Sequence, residues 1–287
     1  MDEVKRLKEA VVKEIQAYVS SSPLNRSQDG RFPYFDQPLI GFASLQDPIF
    51  SEYKGQIGDF YVLPAEWLDT EDGSPLPRRG TVISWVLPIH ATVLASNRQE
   101  MLLPSREWAH TRFYGEQFNH ALADHVVRFL TETGFLSVAP SLDSRWRRVY
   151  SEHLGHASNW SERHAAYAAG LGTFSLNDGL ITKRGIAHRC GSVITELVLE
   201  PTPRPYHGIY DYCLYYNSKK CGACIKRCPA GAISKDGHNK DLCFHYTRTK
   251  VMPAVNEDYG VTTPSCGLCQ TRVPCERCTP APQTPSK

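Results

Sequence analysis

Ten cysteines are the residues of this 287-residue chain whose types and spacing could do chemistry, and all of them fall between Cys190 and Cys278. The stretch CGACIKRCPAGAI, from Cys221 to Ile233, places Cys221, Cys224 and Cys228 in the order C-x2-C-x3-C-P. A C-x-x-C turn directs two thiolates at one centre, and in two-cluster iron–sulfur proteins the cysteine before proline leaves its own run to ligate the second cluster. The full spacing C-x2-C-x2-C-x3-C-P would put one more thiolate three residues before Cys221, where this chain has Ser218. Further on stand Cys243, the pair Cys266-Gly-Leu-Cys269, and Cys275 and Cys278.

Cys228, Cys243, Cys266 and Cys269 therefore form one expected ligand set, and Cys221, Cys224 and Cys275 most of another. The fourth ligand of that other set is Cys213 or Cys278. Cys213 is preferred, because the spacer LYYNSKK can loop back from the place where Ser218 fails to serve. Two zinc sites are the alternative, since C-x-x-C pairs also occur in zinc ribbons, but the Cys-Pro continuation and eight usable thiolates suit two 4Fe-4S clusters better. Cys190, alone after His188, reads as a buried structural thiol.

The elements that must position these residues begin with an amphipathic helix, on which Val4, Leu7, Val11 and Ile15 share a face. Charges interrupt it, so no export signal or membrane span is expected there, and reduced cysteines in a C-x-x-C pattern suit the cytoplasm. A formal charge of +2 gives no general case for nucleic-acid binding. LIGFASL, FYVLPAEW, GTVISWVLPI and FLSVAP read as apolar or strand segments. A long helix carries Phe118, Leu122, Val126 and Phe129 to a stop at Gly134, and a shorter one covers 159–169. LITKRGIAHRCGSVITELVLE reads as a β-hairpin around Lys183–Gly185, and the alternation of strands and helices predicts a mixed sheet. The proline- and tyrosine-rich stretch from Pro201 onward marks a boundary near 200, and 279–287 reads as a disordered tail. Trp108, Phe113, Tyr114 and Phe118 are expected in the core, and His110 and His120 as hydrogen-bonded structural residues.

SERHAAYAAGLGTFSLNDGLIT (161–182), then CGSVITELVLE (190–200), then both cysteine runs occur in the order found in epoxyqueuosine reductase, which this chain resembles from about His156 to Cys275. That family is related to reductive dehalogenases. The resemblance implies an α+β protein: a nitroreductase-like mixed α/β sheet domain over 1–200 that binds cobalamin base-off, followed by a two-cluster ferredoxin-like domain over 201–278. It implies that Ala169, Gly170, Leu171 and Gly172, with Gly191, Ser192 and Thr195, lie against the corrin, where glycine would let backbone approach a flat cofactor. It also implies a small-molecule substrate and an external electron donor such as ferredoxin or flavodoxin.

Two departures qualify the match. The family's proton-donating aspartate aligns with His156, a residue able to donate protons near neutral pH, with His153 and Tyr150 as weaker candidates. The chain also ends soon after its cysteines, without the helical repeats associated with tRNA recognition, so tRNA is an unexpected partner. SRWRRVY (144–150) interleaves arginine with aromatics but reads as a solvated edge. The expected function is a cobalamin-dependent iron–sulfur reductase with a different small substrate. A non-catalytic electron-transfer or corrinoid-delivery protein, and a flavin in place of cobalamin, are the competing readings.

Overall fold

The computed structural model describes residues 2–70, 72, 74–152 and 154–281, Asp2 by its backbone. His153 and residues 282–287 of the expected tail lie outside the described residues. In chain order the elements are α1 (Asp2–Ser21), β1 (Leu39–Ser44), α2 (Ile49–Ile57), β2 (Thr81–Pro88), α3 (Ala91–Gln99), α4 (Arg106–Glu132), β3 (Ser137–Val138), β4 (Arg148–Ser151), β5 (Gly155–Ser158) and α5 (Glu162–Ala168). They continue as β6 (Gly172–Phe174), β7 (Leu180–Thr182), β8 (His188–Thr195), α6 (Leu214–Ser218), α7 (Ala223–Arg227), β9 (Ile233–Ser234), β10 (Gly237–His238), α8 (Lys240–Tyr246) and α9 (Met252–Tyr259).

Strand β2, TVISWVLP, is buried at every position because both faces of its sheet are covered. Side chains alternate across a strand, so Ile83, Trp85 and Leu87 enter a core with α1 and α4, while Val82 and Val86 enter a second core with α2 and α5. The long helix α4 starts where Ser105 Oγ accepts the Trp108 N–H at 3.2 Å, a standard N-cap. It buries Phe118, Leu122, Val126 and Leu130, an i, i+4 stripe, and stops before Gly134, whose φ of +91° suits a helix-terminating glycine. Trp85 Nε1 donates to Asn119 Oδ1 at 2.9 Å, and Asn119 Nδ2 donates to the Cys190 carbonyl at 3.1 Å, locking helix to sheet. Trp108 and Phe118 are core residues, as expected.

The structure is α+β, but its main sheet is not mixed. Four strands in the order β1-β2-β8-β3 pair antiparallel throughout, because neighbours far apart in sequence are brought in by helical connections of either direction. The expected hairpin around Lys183–Gly185 also opens: β7 pairs with β6, and β8 pairs with β2. Only Thr182 and Gly185 bridge locally. The C-terminal loop takes the hairpin's place, since Ile186 N–H donates to the Cys275 carbonyl at 2.8 Å. A side chain at Gly185, where φ is +90°, would meet the Glu276 carbonyl. FYVLPAEW is a loop and a 3-10 turn rather than a strand, because Pro64 starts the turn that buries Trp67 and Leu68.

The cysteine-bearing segment is seated on α3 and α4 by buried polar contacts. Arg227, 7% exposed, donates to the carbonyls of Leu268, Thr271, Glu100 and Asn97 at 2.7–3.3 Å. Glu276, 5% exposed, receives Arg98 at 2.9 Å. Gly267 has φ +66°, and a Cβ there would sit inside the Trp108 ring. Thr279 Oγ1 donates to the Thr182 carbonyl at 3.1 Å, so the tail is tied at its first residue.

Arg227→Met should lower unfolding stability by about 3 kcal/mol, since hydrogen bonds from a charged donor are worth ~1.5–3 kcal/mol each and their loss strands buried carbonyls. Urea denaturation of the anaerobically purified chain checks this.

Candidate functional site

The thiols fall into two groups. Cys213 is buried at the N-cap of α6, Cys221 and Cys224 flank Gly222 at the start of α7, and Cys275 comes from the C-terminal loop. These four line one pocket, walled by apolar residues such as Ile181 and Ile186. Burial pushes the Cys224 thiol up to about 12, with Cys213 and Cys221 adding to the shift. Burial, then Cys224, Cys213 and Cys221, raises Cys275 as well.

Cys266 belongs with Cys243 and Cys228: burial pushes it up to about 12, and both neighbours add. Cys269 is raised by burial and by Cys266, Cys243, Cys228 and, from the first group, Cys224. The two groups therefore adjoin at Cys224 and Cys269. Cys278 is exposed, with its Sγ 3.8 Å from the Pro274 carbonyl. Ser218 Oγ donates to the Leu214 carbonyl at 2.8 Å and closes α6.

Among the described residues no three His, Cys, Asp or Glu side chains gather as ligands of a single ion. Each group offers four thiols, a number that fits a polynuclear centre, and Cys224, Cys266, Cys269 and Cys275 are so desolvated that a bound cation would be needed to strip their protons near neutral pH. His238 lies beside the second group, on Asp178 Oδ2 at 3.0 Å. Burial opposes its charge, but Asp178 and Cys243 lift it to about 9, so it brings a positive charge there.

The residues read as a corrin cradle also make contacts within the protein. A Cβ at Gly170 (φ +78°) would lie 2.6 Å from the Pro203 carbonyl, at Gly172 2.2 Å from that of Ile181, and at Gly191 2.6 Å from the Trp85 ring. Glycine at these places admits the protein's own atoms. Ala169 is buried, Leu171 packs against the second core and against Gly41, Ser192 Oγ accepts Trp160 Nε1 at 3.0 Å, and Thr195 Oγ1 donates to the Leu136 carbonyl at 3.1 Å. His156 sits on the β4–β5 hairpin, stacked 3.8 Å from Phe244 of α8, with its Nε2 3.7 Å from Asp241 Oδ1. Tyr150 OH donates to Asp241 Oδ2 at 3.0 Å. This hairpin thus rests on the helix that carries Cys243.

A feature that sequence reasoning did not single out lies between α4, α5 and β8. Arg112 and Arg189 both reach Glu116 Oε2, and the three side chains remain 24%, 26% and 32% exposed. Burial pushes Arg112 down to about 9, with Arg189 beside it adding. Burial works against the Glu116 charge, but Arg189 and Arg112 hold its carboxyl below the usual range. These groups are heavily desolvated yet still touch solvent. Beside them both Glu162 oxygens and Arg189 Nε are buried without a hydrogen bond of good geometry, although Ser192 and Trp160 lie close enough to Glu162 to favour its charge. Burial lifts the Glu162 carboxyl to about 7. Burial also pushes His188 down to about 4 and Cys190 up to about 12; the Cys190 Sγ lies 3.4 Å from His188 Nδ1. The sequence signal was available in the charged pair Glu162-Arg163 opening a helix that is otherwise apolar.

No family model matches the chain, and no curated protein matches its sequence. Solved structures share its fold, and they are reductases. Two are epoxyqueuosine reductase: a selenomethionine-labelled crystal structure (TM-score 0.52, 17% identity) and the Bacillus subtilis enzyme with its catalytic aspartate loop swung out of the active site (TM-score 0.50, 18% identity). Each comparison covers 95% of this chain and 66% of the other. The third is a catabolic reductive dehalogenase in complex with 3-bromo-4-hydroxybenzoic acid, at TM-score 0.53 and 13% identity, covering 95% of this chain and 37% of that one. The chain thus spans just under two thirds of the epoxyqueuosine reductases and little more than a third of the dehalogenase. At these identities the likeness is one of fold.

The raised Glu162 pKa has a signed consequence. The folded state holds a proton that the unfolded chain releases above about 4.5, so this contribution is full below pH 4.5 and is lost as pH rises through about 7. Glu162→Gln should flatten the fall in stability between pH 4.5 and 7 and raise the melting temperature at pH 8, as read by thermal denaturation from pH 4.5 to 8.

Proposed function

We propose that the chain is an iron–sulfur oxidoreductase that binds a corrinoid and reduces a small molecule other than epoxyqueuosine. The observation that carries this reading is the convergence of Cys213, Cys221, Cys224 and Cys275 on one pocket, with Cys228, Cys243, Cys266 and Cys269 beside it. Support comes from a fold shared with epoxyqueuosine reductase and with a dehalogenase structure described as B12-dependent. Bound 4Fe-4S clusters supply one-electron transfer, and a corrinoid supplies a cobalt centre that is reduced and then reduces substrate.

The chain's own residues do the rest. Eight thiolates hold the clusters, and Arg227, buried between Cys224 and Cys228, keeps the two thiol groups at fixed separation. Residues 1–200 hold the corrinoid and 201–278 the clusters. The contact between chain and corrin shifts from the glycines to the charged cluster, where the Glu162 oxygens and Arg189 Nε need partners. An amide-fringed macrocycle brings both donors and acceptors. His156, on the hairpin above α8, delivers the proton and takes its orientation from Asp241 and Phe244.

A second reading, an electron-transfer or corrinoid-delivery protein without turnover, is favoured by the partial exposure of His156 and by its engagement with Asp241. Anaerobic purification with cobalamin, followed by visible and EPR spectra and cobalt and iron analysis, tests the main reading. A cluster-loaded chain that binds no corrinoid would overturn it.

Two variants sharpen the assignment. Cys213→Ala should halve the iron content, while Cys278→Ala should leave it unchanged. His156→Ala should abolish substrate turnover while leaving cobalt reduction intact; cobalt reduction without any turnover in the wild type, unchanged by the substitution, would favour the delivery reading.

A further inference from the structure

From Cys213 to Lys235 the chain contains no acidic residue, although its formal charge overall is only +2. Lys219, Lys220, Lys226 and Lys235 in this stretch are exposed. The same stretch builds the outer wall of the first thiol pocket, which Leu214, Tyr215, Cys221 and Gly222 line. The lysines are held there. Lys219 Nζ lies 4.9 Å over the Tyr215 ring and 5.4 Å over that of Tyr216. Tyr215 OH donates to the Lys235 carbonyl at 3.0 Å, joining the β9–β10 turn to α6. Tyr216 stacks on Tyr210 at 4.1 Å, adding a flat aromatic element beside the charge. The second thiol group sits against α3, where Arg227 grips the 268–271 loop of Cys269 together with the Asn97 and Glu100 carbonyls.

We propose that this lysine rim is the docking surface for an acidic one-electron carrier protein, which reduces the cluster held by Cys213, Cys221, Cys224 and Cys275. The inference rests on the iron–sulfur reading of that pocket. One electron leaves the carrier's reduced cofactor and enters the cluster; no bond is made or broken. Charge complementarity selects the occupant. Rim charges accelerate encounter and make it dependent on salt, and a loosely held acidic carrier can leave again after each electron. An RNA would also meet the lysines, but transfer through an apolar pocket wall gives the patch its position over redox thiols.

The test uses the anaerobically purified full chain and a reduced flavodoxin, with stopped-flow bleaching of the cluster absorbance as readout. Lys219→Glu/Lys220→Glu should slow the second-order rate at low salt by about tenfold or more and remove most of its salt dependence. Dithionite bleaching should be unchanged. Lys235→Glu, which leaves the tyrosine contacts of Lys219 in place, should act in the same direction. Lys5→Glu/Lys13→Glu, an equal charge change on the exposed face of α1, should have little effect.

An unchanged carrier rate in the Lys219/Lys220 variant, or an equal loss in the α1 control, overturns the docking surface. So does loss of binding to an RNA oligonucleotide with carrier reduction intact. Failure of dithionite to bleach the wild type instead overturns the cluster reading, and the docking surface with it.

Discussion

A buried guanidinium holds this molecule together. Arg227 gives its N–H groups to backbone carbonyls at the end of α3 and to the 268–271 loop, and so ties three stretches together. A buried charge survives only where its donors are satisfied, so these carbonyls must stay where they are. Arg227 lies between Cys224 and Cys228, and the loop it grips contains Cys269. The constraint that joins the cysteine segment to the sheet is therefore also the one that sets the spacing of the thiols. Asn97 adds to it: its Nδ2 donates to Thr271 Oγ1 at 3.1 Å, while its Oδ1 accepts the Ser105 N–H at 2.9 Å.

From that junction the chemistry divides. On one side the thiols are desolvated and near one another, an arrangement that is costly for thiolates alone and favourable for thiolates around iron. On the other, two arginines and two glutamates gather where protein surrounds them without sealing. Glu116 is matched twice over, by Arg112 and Arg189, while for Glu162 burial outweighs the help of Ser192, Arg189 and Trp160. A carboxyl in that position keeps a proton near neutral pH, which leaves it able to donate to a bound polar group and later to accept from one. The β4–β5 hairpin bridges the two sides, since His156 and Tyr150 both engage Asp241 on the helix of Cys243.

Sequence spacing constrains the grouping of the thiols locally. A C-x-x-C turn has one geometry, and the residue before proline cannot continue the helix, so Cys228 turns away from Cys221 and Cys224. The preference for Cys213 over Cys278 agrees with their placement, one buried at the pocket and the other exposed. The glycines carry a signal that is ambiguous for a physical reason. A glycine announces a close approach but not of what, and here Pro203, Ile181 and Trp85 make the approach.

The sequence by itself determined the elements whose signals are local: the amphipathic α1, the capped stripe of α4, the apolar β2 and the two cysteine runs. Only the tertiary structure decided which strands pair, because register between β2 and β8 depends on residues a hundred positions apart, and the C-terminal loop that opens the expected hairpin at Gly185 arrives from the far end of the chain. It also decided the charged cluster. Arg112, Glu116, Glu162 and Arg189 carry no spacing that marks them as a set, and their charges become a site only where three separate elements bring them together out of water.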